Sequence, residues 1–506
     1  MTIAARYRDI GAEEYRAATA LDLAREVAGG TLSPVALTEL ALDLAAAAEP
    51  TINAYVSFRR EAALREAAEL EAEALAGRLR SSLHGVPIAV KDNMYLAGEP
   101  TYKGSRTTSG EPATVSAPMA ERLVRAGTVV IGKTTTPEFG WKGTGISPRT
   151  GVTRNPWNPA RNSGGSSAGS GATVGSGAVP IALGSDAGGS IRIPASFCGV
   201  VGFKPTLGAI PVWPGTVNET LSHAGPLTRS VADTSAVFEL TRGFDPRDPQ
   251  SAYPTPDRDA ARAGEAGEGA MLRVGVIRDP FGITPLTGVS GVLDSTYSRL
   301  RTAGIAELAE AELPMPVPRE VFEAMWVTGR GLGFADLIRD RGDIMDPGLV
   351  RLLGLAERYS LADYYAAIDA RRAFSTAVFA LFSDVDLLVM PTMPLTAFAA
   401  SDEVPPGGEA DAKLPWITWT PYTYPFNITG QPAISIPCGF APDGLPVGLQ
   451  VVGPWGHDDR VLSFASRCAR ALSLTAAERV APIASDKATL STLTTGLFCL
   501  RFDDTP

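Results

Sequence analysis

The chain has 506 residues, 45% hydrophobic and 20% charged, with a formal net charge of -10. That composition describes a globular protein with ample core material and excludes a largely disordered chain. The acidic balance and the lack of a basic stripe exclude nucleic acid as a partner, because phosphate contacts need clustered Lys and Arg, and no run approaches the ~20 apolar residues of a membrane span.

In chain order, residues 1–80 read as an N-terminal helical segment packed on the core. The start MTIAARYRDIGAEEY lacks a basic stretch followed by an apolar one, so the protein is expected to be cytoplasmic. Ser33 followed by Pro34 is a helix N-cap with proline at the first helical position. Leu37, Leu40, Leu42 and Leu44 supply an apolar side. Arg60 to Arg80, rich in Ala, Glu and Leu, is a second amphipathic helix.

The pattern changes at His84. Val86 to Val90 is a strand, Glu121 to Ala126 a helix, and Thr128 to Ile131 a strand closed by Gly132. Further strands are expected at Pro180 to Leu183, Val200 to Phe203, Leu272 to Ile277 and Leu387 to Met390. Ile434 to Pro437 and Val447 to Val452 form a hairpin turning through Ala441 to Gly444. Apolar strands without a polar face, alternating with helices, predict an α/β fold: one large central mixed β-sheet covered by helices on both faces. Residues 81–480 form this single domain, and 481–506 are a tail. Gly243 to Gly269 and Ser401 to Lys413 read as surface loops.

Residues 164 to 204 are dense in glycine and serine, but Val179 to Leu183 and Ile191 to Gly202 are apolar runs that a solvated linker does not need. The segment is better suited to tight packing that brings backbone amides close to a ligand. Lys91 ends the apolar strand in LHGVPIAVKDN. Taken alone, it reads as an ion pair with Asp92 or another carboxylate; beside the glycine-serine segment it reads as part of a site. His84, His223 and His457 stand in no catalytic arrangement. Cys198, Cys438, Cys468 and Cys499 suit reduced thiols and have no histidine at metal-ligand spacing. No metal or organic cofactor is expected.

LHGVPIAVKDN, GGSSAGS and GSDAGGSIRIP followed by FCGVVGFKPT resemble the amidase signature family of serine hydrolases. GPLTRSVAD and PFNITGQPAISIPCG extend the resemblance over roughly residues 20 to 475. The resemblance implies a Ser-cisSer-Lys triad of Lys91, Ser166 and Ser190, with a cis peptide at Gly165–Ser166. It also implies an oxyanion hole from the amides of Ala187, Gly188, Gly189 and Ser190, aided by a helix starting at Ile191. Asp186 and Arg192 are expected to hold the loop, and Ser167 to support Lys91.

The physics of such a triad requires a neutral lysine. With a reference pKa of ~10.4, neutrality at pH 7 costs about 4.6 kcal/mol, which burial must supply. The implied reaction is acyl transfer from a small-molecule amide, ester or carbamate to Ser190 and then to water, by a monomer or homodimer. The resemblance extends to acylamidases, urethanases and the glutamine-hydrolysing component of the tRNA-dependent amidotransferase, which needs a partner. Against the last, Ile193 follows SIR where those proteins commonly carry glutamine. Trp141, Trp213, Trp416, Trp419, Tyr422 and Phe426 flank the motifs; of these Trp141, Trp213, Trp416 and Tyr422 are the expected substrate-pocket residues.

Overall fold

The computed structural model describes residues 7–252, 271–313, 315–473 and 480–481. Its main sheet has eleven strands: β1 (Tyr55–Phe58), β2 (Pro87–Lys91), β3 (Val129–Thr134), β6 (Ile181–Asp186), β7 (Val201–Lys204), β8 (His223–Thr228), β9 (Arg273–Val276), β10 (Glu307–Glu310), β11 (Leu387–Pro391), β12 (Ala433–Phe440) and β13 (Pro446–Val452). A separate two-stranded sheet pairs β4 (Ile146–Ser147) with β5 (Gly151–Val152). The order across the main sheet is β1-β3-β2-β6-β8-β7-β12-β13-β11-β9-β10. Strands β3, β2 and β6 are parallel, as are β11, β9 and β10, while the strands between them pair antiparallel. The sheet is therefore mixed.

Both faces are covered, which is why the strands lack a polar face. On β2, Ile88 and Val90 join a core that includes the helices Pro118–Arg125 and Val231–Thr241. Ala89 points the other way, into a core with the N-terminal helices Ala20–Ala28 and Pro34–Ile52. On β11, Leu388 and Met390 face an aromatic cluster containing Trp141, Trp326 and Trp416. The helix Pro34–Ile52 starts as its sequence dictates, with Ser33 Oγ accepting from the Ala36 amide ahead of Pro34.

Several expected bounds are corrected. Residues 1–80 are not wholly helical, because Tyr55–Phe58 pairs antiparallel with β3 as an edge strand. The helix expected over 60–80 ends at Leu75; Gly77 adopts a φ of 70°, and Arg80 turns back to Glu73 at 2.7 Å. Strand β3 runs through Gly132 rather than stopping there. A Cβ at that position would lie 2.5 Å from Ser57 O, so the glycine permits the close approach of β1. The helix Arg192–Cys198 begins one residue later than expected, with Ile191 as its cap. The hairpin is longer than expected at both strands, with an irregular register between Pro437 and Gly439.

Residues 401–413 form a loop, and Glu403 within it receives Lys142 at 2.5 Å and Thr144 Oγ1 at 2.9 Å. Cys198, Cys438 and Cys468 are free and buried. Residues 253–270, most of the tail and Cys499 lie outside the described residues.

Candidate active site

Strands β2 and β6 are parallel neighbours, and β6 pairs antiparallel with β8 on its other side. Their carboxyl ends therefore meet where the sheet changes direction, a location that suits a ligand. A cavity of about 200 Å³ opens there. Among its lining residues are Asn93, Ser166, Ser185, Asp186, Ala187 and Ser190.

Lys91 is fully buried at the end of β2. Its Nζ lies 2.8 Å from Ser166 Oγ and 3.0 Å from Ser185 Oγ. Burial pushes its pKa well below the usual lysine range; the nearby Asp186 charge opposes that shift and the Arg330 charge adds to it. Burial therefore favours the neutral amine. The alternative reading of Lys91 as a partner of Asp92 is corrected: Asp92 pairs with Lys133 at 3.3 Å.

The segment carrying Ser166 is shaped by close packing. A Cβ on Gly165 would sit 2.3 Å from Thr144 O, and Gly164 has a φ of 71° beside Ile193 and Pro194. The Gly165–Ser166 peptide is cis. The Ser167 amide donates to Ser190 O at 3.0 Å, tying the two serine segments together. Ser167 does not hold Lys91, however. Its hydroxyl donates to Ser185 O at 3.2 Å, and Ser185 occupies the supporting position.

Asp186 and Arg192 hold the loop between them. Burial alone would raise the Asp186 pKa, but Arg192, at 3.0 Å through Nε, holds it well below the usual carboxylate range. Arg192 also donates to Thr423 O, Gln450 Oε1 and Asn427 Oδ1. Asp186 in turn accepts from the amides of Gly189 at 2.7 Å and Ile191 at 3.2 Å. Of the four amides expected to converge on an oxyanion, that of Gly189 is thus committed to Asp186. Gly188 and Gly189 are required by packing: a Cβ at 188 would meet Trp416 at 2.7 Å, and one at 189 would meet Thr423 Oγ1 at 2.4 Å.

The expected pocket aromatics divide. Trp213 lines the cavity, alongside Phe139 and Phe334, which the sequence did not single out. Trp141, Trp416 and Tyr422 do not line it. All three are buried: Trp141 packs over Gly348, Trp416 stands behind Gly188, and Tyr422 donates to Ile283 O at 2.5 Å. They stabilise the fold around the site. His223 does reach the cavity wall, but burial, together with the Lys204 charge, pushes its pKa well below the ordinary range, which favours the neutral imidazole.

Ser185, Asn93 and Arg330 are among the polar wall residues that sequence reasoning missed. Asn93 Nδ2 donates to Ser185 Oγ at 2.8 Å. A signal for Ser185 was present in principle, since the parallel pairing of Val90 with Leu183 brings the ends of β2 and β6 together. Arg330 carried none.

This fold is that of a class of hydrolases known from solved structures. A structure of 6-aminohexanoate cyclic dimer hydrolase is similar with a TM-score of 0.83 and 28% identity, covering 94% of this chain and 100% of that one. A bacterial aryl acylamidase is similar with a TM-score of 0.82 and 26% identity, covering 93% and 99% respectively. The family model described as Amidase matches residues 36–462, and the chain belongs to this amidase signature family of C–N hydrolases. An acylamidase from Rhodococcus erythropolis is 35% identical over 88% of this chain and 94% of its own length. The A-type component of the glutamyl-tRNA(Gln) amidotransferase from Synechococcus sp. (strain RCC307) is 35% identical over 88% of this chain and 96% of its own.

Proposed function

We propose that the protein hydrolyses the C–N bond of small acylamides, and related esters or carbamates, with Ser190 as nucleophile, Ser166 as proton relay and Lys91 as base. The observation that carries this reading is a buried lysine, its pKa lowered by burial, 2.8 Å from Ser166, which shares one cavity with Ser190. Lys91 takes the Ser166 hydroxyl proton while Ser166 takes that of Ser190, and the Ser190 oxygen adds to the carbonyl carbon. The amides of Ala187, Gly188 and Ser190 receive the developing negative charge, a type of contact that contributes about 2.7–4 kcal/mol for a single donor. The proton returns through Ser166 to the leaving nitrogen as the C–N bond breaks. Water then cleaves the Ser190 ester by the same relay, and no cofactor is called on.

A panel of an aryl anilide, an aliphatic amide, glutamine, a p-nitrophenyl ester and an aryl carbamate tests the reading. Wild type is expected to turn over anilides by itself, and Ser190→Ala to lose turnover on every substrate the wild type accepts. Turnover surviving in Ser190→Ala would overturn the nucleophile assignment. The second reading, a partner-dependent glutamine amidase, is favoured by the likeness to the A-type components of glutamyl-tRNA(Gln) amidotransferases. Glutamine turnover appearing only with a partner protein, and no anilide turnover, would establish it instead.

A further inference from the structure

Three buried cations in this molecule meet carboxylates, while Lys91 and Lys204 are held by uncharged groups. Arg192 meets Asp186, Lys133 meets Asp92, and Lys142 meets Asp346 at 2.7 Å and Glu403 at 2.5 Å. Arg330, on the helix Arg319–Gly333, also meets no carboxylate, and it lines the cavity. It is 7% exposed, and Nη1 donates to Phe139 O at 2.7 Å. Its Nε has no hydrogen-bond partner among the described residues. The guanidinium stacks 4.7 Å from the Trp326 ring centroid and 5.8 Å from that of Phe334. Burial pushes its pKa down to about 10, so it remains charged at neutral pH, and no carboxylate among the described residues offsets that burial.

A buried charge without a counter-charge is costly, and an unsatisfied polar group beside a cavity points to a missing ligand. The rest of the lining agrees. Lys103 adds a second cation, while the one lining carboxylate, Asp186, is taken by Arg192. With Nη1 spent on Phe139, the Nε–Nη2 edge is the one without a partner among the described residues, and because Nε has almost no exposed surface a carboxylate reaches it only as the cavity wall shifts to admit it. Bidentate carboxylate recognition is what that fork does best.

We propose that the substrate carries a carboxylate, which seats on Arg330 while its apolar body lies against Phe139, Phe334 and Trp213. The reading rests on amide hydrolysis only for the placement of the scissile carbonyl at Ser190; the anion site itself is a matter of binding. Arg330 also helps to lower the Lys91 pKa, so turnover of an Arg330 variant mixes two effects. The ratio of affinities for an acid and its methyl ester separates them.

The test is calorimetric titration of the Ser190→Ala protein with the mono-anilides of dicarboxylic acids from malonic to adipic, each paired with its methyl ester. At least one acid is expected to bind about 10- to 100-fold tighter than its ester, the scale of a hydrogen-bonded charge pair. Adding Arg330→Gln should bring that ratio to about one. Arg330→Lys, which keeps the charge and loses the fork, should leave an intermediate preference and serves if the glutamine variant does not fold. The inference is overturned if no acid outbinds its ester, or if the preference survives in Arg330→Gln or is undiminished in Arg330→Lys. Wild-type turnover of neutral anilides with no acid preference would sink this inference and leave the hydrolase standing. An acid preference in binding without turnover of any anilide would do the reverse.

Discussion

Strands β2 and β3 run side by side, and each buries a lysine near its carboxyl end, yet the two amines are built for different work. Lys133 meets the Asp92 carboxylate at 3.3 Å and donates to Met94 O at 2.8 Å and Thr101 Oγ1 at 3.0 Å. Lys91 meets two hydroxyls, those of Ser166 and Ser185. Burial lowers both pKa values; Asp92, in direct contact, offsets it at Lys133, whereas at Lys91 the Asp186 charge opposes it without an ion pair and the Arg330 charge adds to it. A buried lysine with a carboxylate is a strut. One with hydroxyls only suits the base we propose for Lys91, and its cost to the fold is what would make it available for chemistry.

Replacing each lysine by methionine should separate these roles. Lys91→Met is expected to lower turnover by about 10⁴- to 10⁶-fold, as loss of a triad member does. It should also make the folded protein about 1–3 kcal/mol more stable at pH 7, because the cost of a neutral lysine disappears and two modest hydrogen bonds go with it. The sign follows from linkage. The folded pKa of Lys91 lies below its unfolded value, so the unfolded chain binds more protons between the two, and this group's contribution to stability rises with pH across that window. Urea unfolding at pH 7 and at higher pH should show that Lys91→Met lacks this rise; a variant less stable than wild type at pH 7 would contradict the account.

Lys133→Met should behave oppositely. It leaves Asp92 buried without its partner, a loss of about 3–5 kcal/mol, while turnover per folded molecule stays near wild type. If Lys133→Met abolished turnover without loss of stability, the strut assignment would fail.

How much of this was legible in the sequence differs by residue. Lys91, Ser166 and Ser190 stand in local motifs, and the structure brings Lys91 and Ser166 into contact and both serines to one cavity. Strand positions were legible because two-sided burial leaves unbroken apolar runs such as Pro87–Lys91. Gly132 was misread because the reason for it, the backbone of β1, comes from a segment that reads as helical. Trp141, Trp416 and Tyr422 were misassigned because an aromatic residue in a loop has the same local signature whether it faces a cavity or the core. Arg330 was invisible because nothing along its helix shows that the side chain ends at a cavity far away in the chain.

The smallest expected effect concerns Ser185. Its Oγ lies 3.0 Å from Lys91 Nζ and accepts from Asn93 Nδ2 at 2.8 Å, so it is a positioning residue for the amine. An ammonium has three N–H groups to satisfy and a neutral amine fewer, so removing an acceptor disfavours the charged form more. In Ser185→Ala the Lys91 pKa should therefore fall further. The acid limb of kcat/KM, which reports Lys91 losing its proton as pH rises, should move to lower pH. On the plateau, kcat should drop about tenfold, the scale of one hydrogen bond, with KM little changed. Lys133→Met should leave that limb where it is. Pre-steady-state and steady-state pH profiles of the two variants side by side make the distinction; an unmoved limb and full kcat in Ser185→Ala would mean that Ser166 alone positions the amine. A limb that moves to higher pH would mean instead that Ser185 chiefly donates its proton to Lys91 and so favours the neutral form.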